Sequence, residues 1–229
     1  MFTIISLIKG VNKENVTEKF IFILSALVSF TFVSLLLFGC ASSPSKSFQP
    51  QSESDAILIQ TKAQIKNNDE TNTVKIEIAL LPKKAIRLEI TATLGVSVAS
   101  VLMRPTAISY ALHSTKQFAT GPFNEKTLYP VFKKNIDPRI LWRIINNQPM
   151  GNLNLKCDAD NELKPIKCVS DDGTTIKWTY EAPFHKKIEI ISNRFEMRWV
   201  FRDQSLLSES QNKTFVLNKP ENYQEIIIK

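Results

Sequence analysis

The chain has 229 residues, enough for one or two domains, and its hydrophobic fraction of 43% excludes a chain that is disordered throughout. Lysine and arginine outnumber aspartate and glutamate by 29 to 22, but the positive residues are spread along the sequence and form no basic patch. We therefore expect no nucleic-acid partner. The six glycines are too scattered to build a phosphate-binding loop, so no nucleotide is expected, and no other pattern predicts a cofactor.

Residues 1–39 follow the order of an export signal, which is a positive region, then an apolar region, then a small residue. Three lysines come first, an uncharged apolar run covers residues 20–38, and Gly39 follows it. A transmembrane anchor is the alternative, because a helix of that length, at about 1.5 Å per residue, could just cross a bilayer. The two interpretations differ in whether the mature protein keeps the apolar segment.

The end of the apolar run favours the export signal. Residues 37–40, Leu-Phe-Gly-Cys, resemble a bacterial lipobox, in which a peptidase cuts before a cysteine that carries a diacylglyceryl group. The resemblance implies that Cys40 is lipidated with palmitate-like chains, each buried CH₂ contributing about 0.8 kcal/mol to membrane binding. No Asp follows Cys40, which under the enteric sorting rule implies the outer membrane. Residues 40–54, rich in Ser, Pro and Gln, are predicted to be a flexible tether.

Alternation of apolar and polar residues with period two dominates residues 55–229 and predicts one domain built mainly of strands. One face of each strand is apolar and the other polar, as in an antiparallel sheet with one wet face. Short breaks that contain Gly, Pro, Asn or Asp separate the strands, which predicts a meander. The clearest strands are TVKIEIAL (73–80), AIRLEIT (85–91), TIKWTYE (175–181), KIEII (187–191) and RFEMRWVFR (194–202).

Residues 124–149 interrupt the strands with helical spacing. Leu128 and Phe132 share one helical face, while Asp137 and Pro138 provide the N-cap and first turn of a second helix. The predicted order is about six strands, two short helices and then four to six more strands. The fold class is mainly β (α+β): a large curved antiparallel sheet, or open half-barrel, with short helices covering its concave face.

Two segments are similar to the LolA/LolB-like family. KKAIRLEITATLGVSVASVLMRPTAISYALHSTKQFATGPF (83–123) resembles its early strands with their Leu-Gly loop, and NIDPRILWRIINNQP (135–149) resembles its short helical segment closed by a Pro. The resemblance implies an open half-barrel that holds lipoprotein acyl chains between sheet and helices. LolA is the soluble periplasmic carrier of the family and LolB its outer-membrane lipoprotein, so a lipidated Cys40 implies the LolB type, with a periplasmic carrier as partner.

The resemblance also points to site residues. LolB has an exposed Leu in an early loop, implied to help place cargo in the membrane, and Leu94 is the matching position. An acyl chain needs a dry concave surface, so apolar faces are candidate linings, although each such residue could equally be core. The candidate lipid-binding residues are Leu88, Ile90, Val98, Leu102, Leu128, Phe132, Ile144, Trp178, Met197, Trp199 and Phe201.

Cys157 and Cys168 flank the polar stretch DADNELKPIK. In an exported protein they can pair as a disulfide across a hairpin, and two free thiols are the alternative. His113 and His185 have no ligand-type spacing to these cysteines, so no metal site is predicted. Neither histidine has a nucleophile or carboxylate constellation around it in the sequence, and we expect both at the surface or at a sheet edge.

The sequence supports two functions of different classes. The first is a monomeric outer-membrane lipoprotein, facing the periplasm, that binds lipoprotein acyl chains and assists their localisation. The second is an envelope lipoprotein of the same fold that acts as an assembly or structural partner, with its cavity filled by its own helices. A hydrolase is not favoured, because the sequence shows no Ser/His/Asp or paired-carboxylate arrangement.

Overall fold

The computed structural model describes residues 55–68, 70–151, 153–182, 185–207 and 211–228. The predicted signal peptide, the lipidated Cys40 and the tether lie outside these residues and stay predictions. In the described part of the chain, no helix combines the length and the apolarity that crossing a membrane requires.

Twelve strands of the described residues form one sheet. They are β1 (Ile57–Asn67), β2 (Glu70–Leu81), β3 (Ala85–Ala92), β4 (Ser97–Met103), β5 (Ala107–Leu112), β6 (Gln117–Pro122), β7 (Leu155–Ala159), β8 (Pro165–Ser170), β9 (Thr175–Ala182), β10 (His185–Ser192), β11 (Phe195–Leu206) and β12 (Gln224–Ile227). Their spatial order is β12-β6-β5-β4-β3-β2-β1-β11-β10-β9-β8-β7, so the sheet is open, with β12 and β7 at its edges.

This architecture confirms the predicted fold class, with one correction. Neighbouring strands pair antiparallel except β12, which runs parallel to β6, so the sheet is mixed. A parallel pair needs a long connection, and here the chain returns from β11 across the sheet before β12 begins. No pattern in the sequence predicts this return.

The two ends of the sheet are separate surfaces because the strands alternate in direction. Ile57, at the start of β1, pairs with Leu80 of β2 and with Leu206 of β11. We call this the tether end, and it also contains the turns at 81–84 and 160–164. The opposite end contains the turn at 93–96, where Gly95 adopts a φ of 78° that glycine reaches without steric cost.

Two eight-residue helices follow β6, namely α1 (Glu125–Phe132) and α2 (Pro138–Ile145). The Asn124 side chain caps α1 by accepting a hydrogen bond from the Thr127 N–H. The Asp137 side chain caps α2 by accepting from the Arg139 N–H, and Pro138 is the first helical residue. The predicted N-cap and first turn of this helix are therefore confirmed. A four-residue helix, α3 (Gln211–Thr214), comes after β11.

Helices α1 and α2 pack on one face of the sheet, which we call the helix face. Alternating residues of β2 lie in the same apolar cluster as the two helices, while Lys75 and Glu77 point to the other side. Burial of this face supplies about 25 cal/mol per Å² of apolar area and is the main stabilising term of the fold. The most fully buried members are Ile76, Ile78, Ile86, Leu88, Met103, Ile108, Tyr110, Leu128, Leu141, Ile144, Trp199 and Phe201.

The opposite face of the sheet, which we call the outer face, is partly covered by the chain after β11. Phe215 is buried there against Leu102 and small residues of β2 and β3. Arg87 Nη1 donates to the Val216 carbonyl at 2.6 Å, and Arg104 Nη2 donates to the Phe215 carbonyl at 2.8 Å. These contacts fix residues 213–217 to the outer face and direct the chain toward β12.

Candidate lipid-binding site

Nine of the eleven predicted lipid-binding residues lie together in the helix-face cluster, each exposing 6% or less of its surface. They come from β3, both helices, β9 and β11, so the fold unites residues that are far apart in sequence. These nine are Leu88, Ile90, Leu128, Phe132, Ile144, Trp178, Met197, Trp199 and Phe201.

The other two predicted lipid-binding residues are on β4, where the apolar–polar alternation gave the wrong face of the sheet for Leu102. Leu102 pairs with Arg87 and belongs to the outer-face cluster, so its assignment to the lining is corrected. Both faces of β4 are buried from Ala99 onward, so no alternation of buried and exposed residues reveals the register there. Val98 falls where the β3–β4 register shifts, and it packs, half-buried, against the helix-face cluster.

The helix face is closed in this structure. Side chains of α1 and α2 pack directly on it, and Leu128, Leu141 and Ile144 are buried. Trp199 is a satisfied core residue, because its indole N–H donates to Thr61 Oγ1 at 2.7 Å, and that hydroxyl donates to the Ile76 carbonyl at 2.7 Å. An acyl chain could therefore reach the part of this face beneath the helices only by displacing one of them.

Two buried side-chain hydroxyls, those of Tyr110 and Ser192, have no hydrogen-bond partner in the described residues. The hydroxyl of Tyr110, on β5, is buried without a hydrogen bond, and burial raises the pKa of this side chain. Leaving a buried hydroxyl unpaired costs about 1–3 kcal/mol. Tyr110 is thus a local weak point of the helix-face core.

A cavity of about 720 Å³ lies beside the last turn of α2, at the tether end of the sheet; we call it the edge cavity. Only two of the predicted lipid-binding residues, Ile144 and Trp178, line it. Its volume is within the range of about 300–1,000 Å³ that is typical of small-molecule pockets. The lining is Arg143, Ile144, Asn147, Gln148, Pro149, Met150, Glu162, Leu163, Lys164, Pro165, Trp178, Tyr180, Glu181, Ala182 and Lys186.

Lys186 is the charged residue that the sequence analysis missed. It is buried on the helix face of β10, and its ammonium donates to the Ile144 carbonyl and to Asn147 Oδ1. The ammonium also lies 4.6 Å from the centre of the Phe201 ring. Burial lowers its pKa to about 7. The alternation of Ile188 and Ile190, extended back by two residues, would have placed Lys186 on this face.

The remaining charges around the edge cavity are unevenly balanced. Lys164 pairs with Glu162 in the β7–β8 turn. Arg143 donates to the Pro149 carbonyl at 2.8 Å and to the Gly151 carbonyl, both of which are neutral. Glu181 is exposed. Within the described residues, no carboxylate forms an ion pair with Arg143 or Lys186, which leaves an excess of positive charge.

Leu94 is 91% exposed, at the end of the sheet opposite to the tether end. Its turn is well ordered by hydrogen bonds, because the Ala92 N–H donates to the Val96 carbonyl at 2.8 Å and the Gly95 N–H donates to the Ala92 carbonyl at 2.9 Å. Val96 is also exposed. A fixed turn thus presents two apolar side chains to solvent.

His113 is half-buried and has polar partners that its sequence neighbourhood did not show. Its Nε2 lies 3.0 Å from Ser100 Oγ, and its Nδ1 lies 2.8 Å from the Tyr223 hydroxyl. Ser100 Oγ donates to Glu89 Oε2 at 2.5 Å. Pairing of β3, β4 and β5 places Glu89, Ser100 and His113 side by side on the outer face, which their sequence spacing did not reveal.

This network does not have the arrangement of a catalytic triad. In a triad the carboxylate orients the histidine, whereas here the carboxylate binds the serine and a tyrosine binds the second histidine nitrogen. Ser100 is also buried, with 4% of its surface exposed. The network instead connects Tyr223, just before β12, to the outer face. His185 is exposed, as expected.

The predicted disulfide is confirmed. Cys157 and Cys168 are directly opposite each other on β7 and β8, and their sulfurs are 2.01 Å apart. The bond closes the hairpin at one edge of the sheet. Among the described residues, no three His, Cys, Asp or Glu side chains come together as metal ligands.

No family model and no curated protein matches the sequence. Among solved structures, a LolA superfamily protein from Nitrosomonas europaea is 10% identical, with a TM-score of 0.46 over 72% of this chain and 91% of that one. An outer membrane lipoprotein-sorting protein domain from Vibrio parahaemolyticus is 8% identical, with a TM-score of 0.44 over 72% of this chain and 90% of that one. The likeness is one of fold.

Proposed function

We propose that this chain is an outer-membrane lipoprotein of the LolB type, anchored through Cys40, that binds lipoprotein acyl chains and assists their localisation. The observation that carries the proposal is the helix face, a continuous apolar surface covered by two helices of only eight residues each. Nine of the residues chosen as acyl-chain ligands meet on that surface.

Binding would require α2 to leave the sheet. Its last turn and the residues just after it are held by Lys186 and by the Lys83 N–H, which donates to Asn146 Oδ1 at 3.1 Å. An acyl chain would replace the contacts of Leu141, Ile144 and Ile145 with hydrocarbon contacts of similar area. Because the stabilisation is proportional to the apolar area buried, the exchange is favourable where the bound chain also covers the helix side chains that leave the sheet.

The lipid anchor would be joined to one end of the domain, and Leu94 is at the other end. β1 spans about 35 Å at about 3.3 Å per residue, and Leu94 is at the end away from its start. A tether of residues 40–54 reaches at most about 50 Å when extended. The reach of the tether is therefore sufficient for Leu94 to contact the membrane that holds Cys40. We propose a monomer that receives cargo from a periplasmic carrier.

The test is depletion of the protein in its host, followed by measuring how much of the other lipoproteins reaches the outer membrane. We expect lipoproteins to accumulate elsewhere, and wild-type chain to restore their location. Photo-crosslinking from a reactive residue placed at Ile145 should capture lipoprotein, while the same probe at exposed Lys75 should not. Normal localisation after depletion, together with no cargo crosslink, would rule the proposal out.

The second candidate is an assembly or structural partner in the envelope that transfers no lipid. The closed helix face, with its packed core residues, favours this candidate. Native mass spectrometry separates the two, because a transfer protein should copurify with lipid or take up an apolar dye and a structural partner should do neither.

A further inference from the structure

We propose that the edge cavity binds a single-chain amphiphile with an anionic head, whose head contacts Lys186 and Arg143 and whose chain lies against Trp178, Met150 and Leu163. This site lies at the border of the helix face, and it is reached without moving α2. It shares only the wall formed by Ile144 and Trp178 with the predicted acyl-chain surface.

The position of Lys186 carries the argument. A buried ammonium is normally paired with a carboxylate, because desolvation of an unpaired charge is costly. Lys186 is satisfied only by two neutral oxygens, from Ile144 and Asn147, and by the face of the Phe201 ring. It lines a cavity that is open to solvent. An anionic oxygen that entered the cavity would supply the missing opposite charge at its buried side.

The other charged groups at the cavity agree with an anionic head. Arg143, from α2, binds backbone carbonyls and has no carboxylate partner in the described part of the chain. Lys164 is already neutralised by Glu162, and Glu181 on β9 is exposed. Tyr180 is engaged through its hydroxyl, which donates to the Pro165 carbonyl at 3.1 Å. Two unneutralised cations therefore oppose one free carboxylate.

The walls suit a hydrocarbon chain rather than a free anion. Trp178 and Met150 are buried beside the opening, and Met adapts to chains of different shape. Leu163, at the tip of the β7–β8 turn, is 83% exposed next to Lys164. An apolar tip next to a cation fits the boundary between the head and the chain of an amphiphile. A small polar anion would leave these walls uncovered.

The test uses residues 40–229 carrying Cys40→Ser, so that no acyl chains of its own compete. Calorimetric titration at pH 6 compares 1-octanesulfonate with 1-octanol, which has the same chain without the charge. We expect octanesulfonate to bind at least tenfold more tightly. Lys186→Met should remove this preference, whereas Lys187→Met should keep it, because Lys187 is paired with Glu189 away from the cavity. Equal affinities in wild type, or a preference that survives Lys186→Met, would overturn the proposal.

A second measurement needs no variant. The sulfonate stays ionised at all working pH values, so a change in its affinity reports on the protein. Deprotonation of Lys186 should weaken binding at least threefold between pH 6 and pH 9, and a constant affinity would contradict the proposed contact. Acetate and inorganic phosphate are anions without a long hydrocarbon chain, so their affinities measure the contribution of the head alone. If either anion bound as tightly as octanesulfonate, the assignment of an amphiphile would be overturned. Laurate and a lysophosphatidylglycerol then distinguish a carboxylate head from a phosphate head.

The result of the octanesulfonate titration does not depend on whether the protein transfers lipoproteins. If octanesulfonate binds and depletion leaves lipoproteins in place, the edge cavity is a site of its own and only the proposed function fails. If depletion mislocalises lipoproteins and octanesulfonate does not bind, the edge-cavity proposal alone fails.

Discussion

Lys186 of β10 donates a hydrogen bond to the backbone carbonyl of Ile144, so one buried ammonium holds the last turn of α2 against the sheet. Cations near a helix C-terminus are stabilising, because the last carbonyls carry partial negative charge. The same side chain faces the edge cavity. Closure of the helix face and the charge of the edge cavity therefore depend on one residue.

The free energy of unfolding should rise with pH above neutrality because of Lys186. Burial lowers its folded pKa to about 7, whereas an unfolded lysine titrates near 10.4. Between these values the unfolded chain binds more protons than the folded one, so folding is favoured as pH increases. Urea unfolding at pH 7, 8 and 9 should show a rise of up to about 1.4 kcal/mol per pH unit. Lys186→Met should flatten this rise and Lys187→Met should not; an unchanged slope in Lys186→Met would contradict the assignment.

Tyr110→Phe should leave stability unchanged or increase it. The Tyr110 hydroxyl is buried without a partner in the described residues, so its removal eliminates a desolvation cost of about 1–3 kcal/mol. Tyr223→Phe is the matched control, because it loses a hydroxyl that is hydrogen-bonded to His113, and it should destabilise by about 0.5–1.5 kcal/mol. Urea denaturation of both variants measures the difference. A clear loss of stability in Tyr110→Phe would mean that the hydroxyl has a partner.

Phe215→Ala should release the C-terminal segment from the outer face. Phe215 is its buried apolar anchor, and truncating a buried Phe costs about 3–5 kcal/mol. Hydrogen exchange in residues 213–227 should accelerate, while exchange in β1 and β2 should change less. The adjacent Val216 is exposed, so Val216→Ala should leave the exchange nearly unaltered. Equal protection in both variants would show that Arg87 and Arg104 hold the segment without Phe215.

The sequence was sufficient for the elements that local chemistry determines. Period-two alternation identified β2, β3 and β9 to β11, and Asp137 with Pro138 marked the start of α2, because each signal lies within a few residues. The local pattern gave the wrong face of the sheet for Leu102, because β4 is buried on both faces. It also fails on β12, since four residues carry too weak a pattern to predict parallel pairing with a distant strand.

The candidate site was predictable only in part. Alternation in the strands and helical spacing in the helices selected nine residues that lie together, but neither pattern could reveal whether the helices fill the face, because filling depends on side-chain packing between distant segments. The contacts of Ser100 with Glu89 and with His113 depend on the register of three strands. The pairing of Lys186 with α2 depends on how a helix docks, which no local pattern records.

Leu94→Glu should preserve folding and reduce the transfer of lipoproteins to the membrane. Leu94 is 91% exposed and makes no contribution to the core, so its replacement should change stability by less than about 0.5 kcal/mol. A carboxylate at this position opposes insertion into hydrocarbon, where a charged side chain costs about 2.5–3.5 kcal/mol. Transfer is measured as the rate at which radiolabelled lipoprotein moves from a soluble complex to liposomes, and we expect at least a tenfold decrease.

Ile227→Glu is the matched control for this substitution. Ile227 is 81% exposed on the edge strand β12, so the same charge is added to a comparably exposed position outside the Leu94 turn. Thermal unfolding should be similar for both variants and wild type. If Leu94→Glu transfers cargo at the wild-type rate, or if Ile227→Glu slows transfer equally, then the exposed leucine has no specific role in membrane insertion, and the turn at 93–96 is only a strand connection.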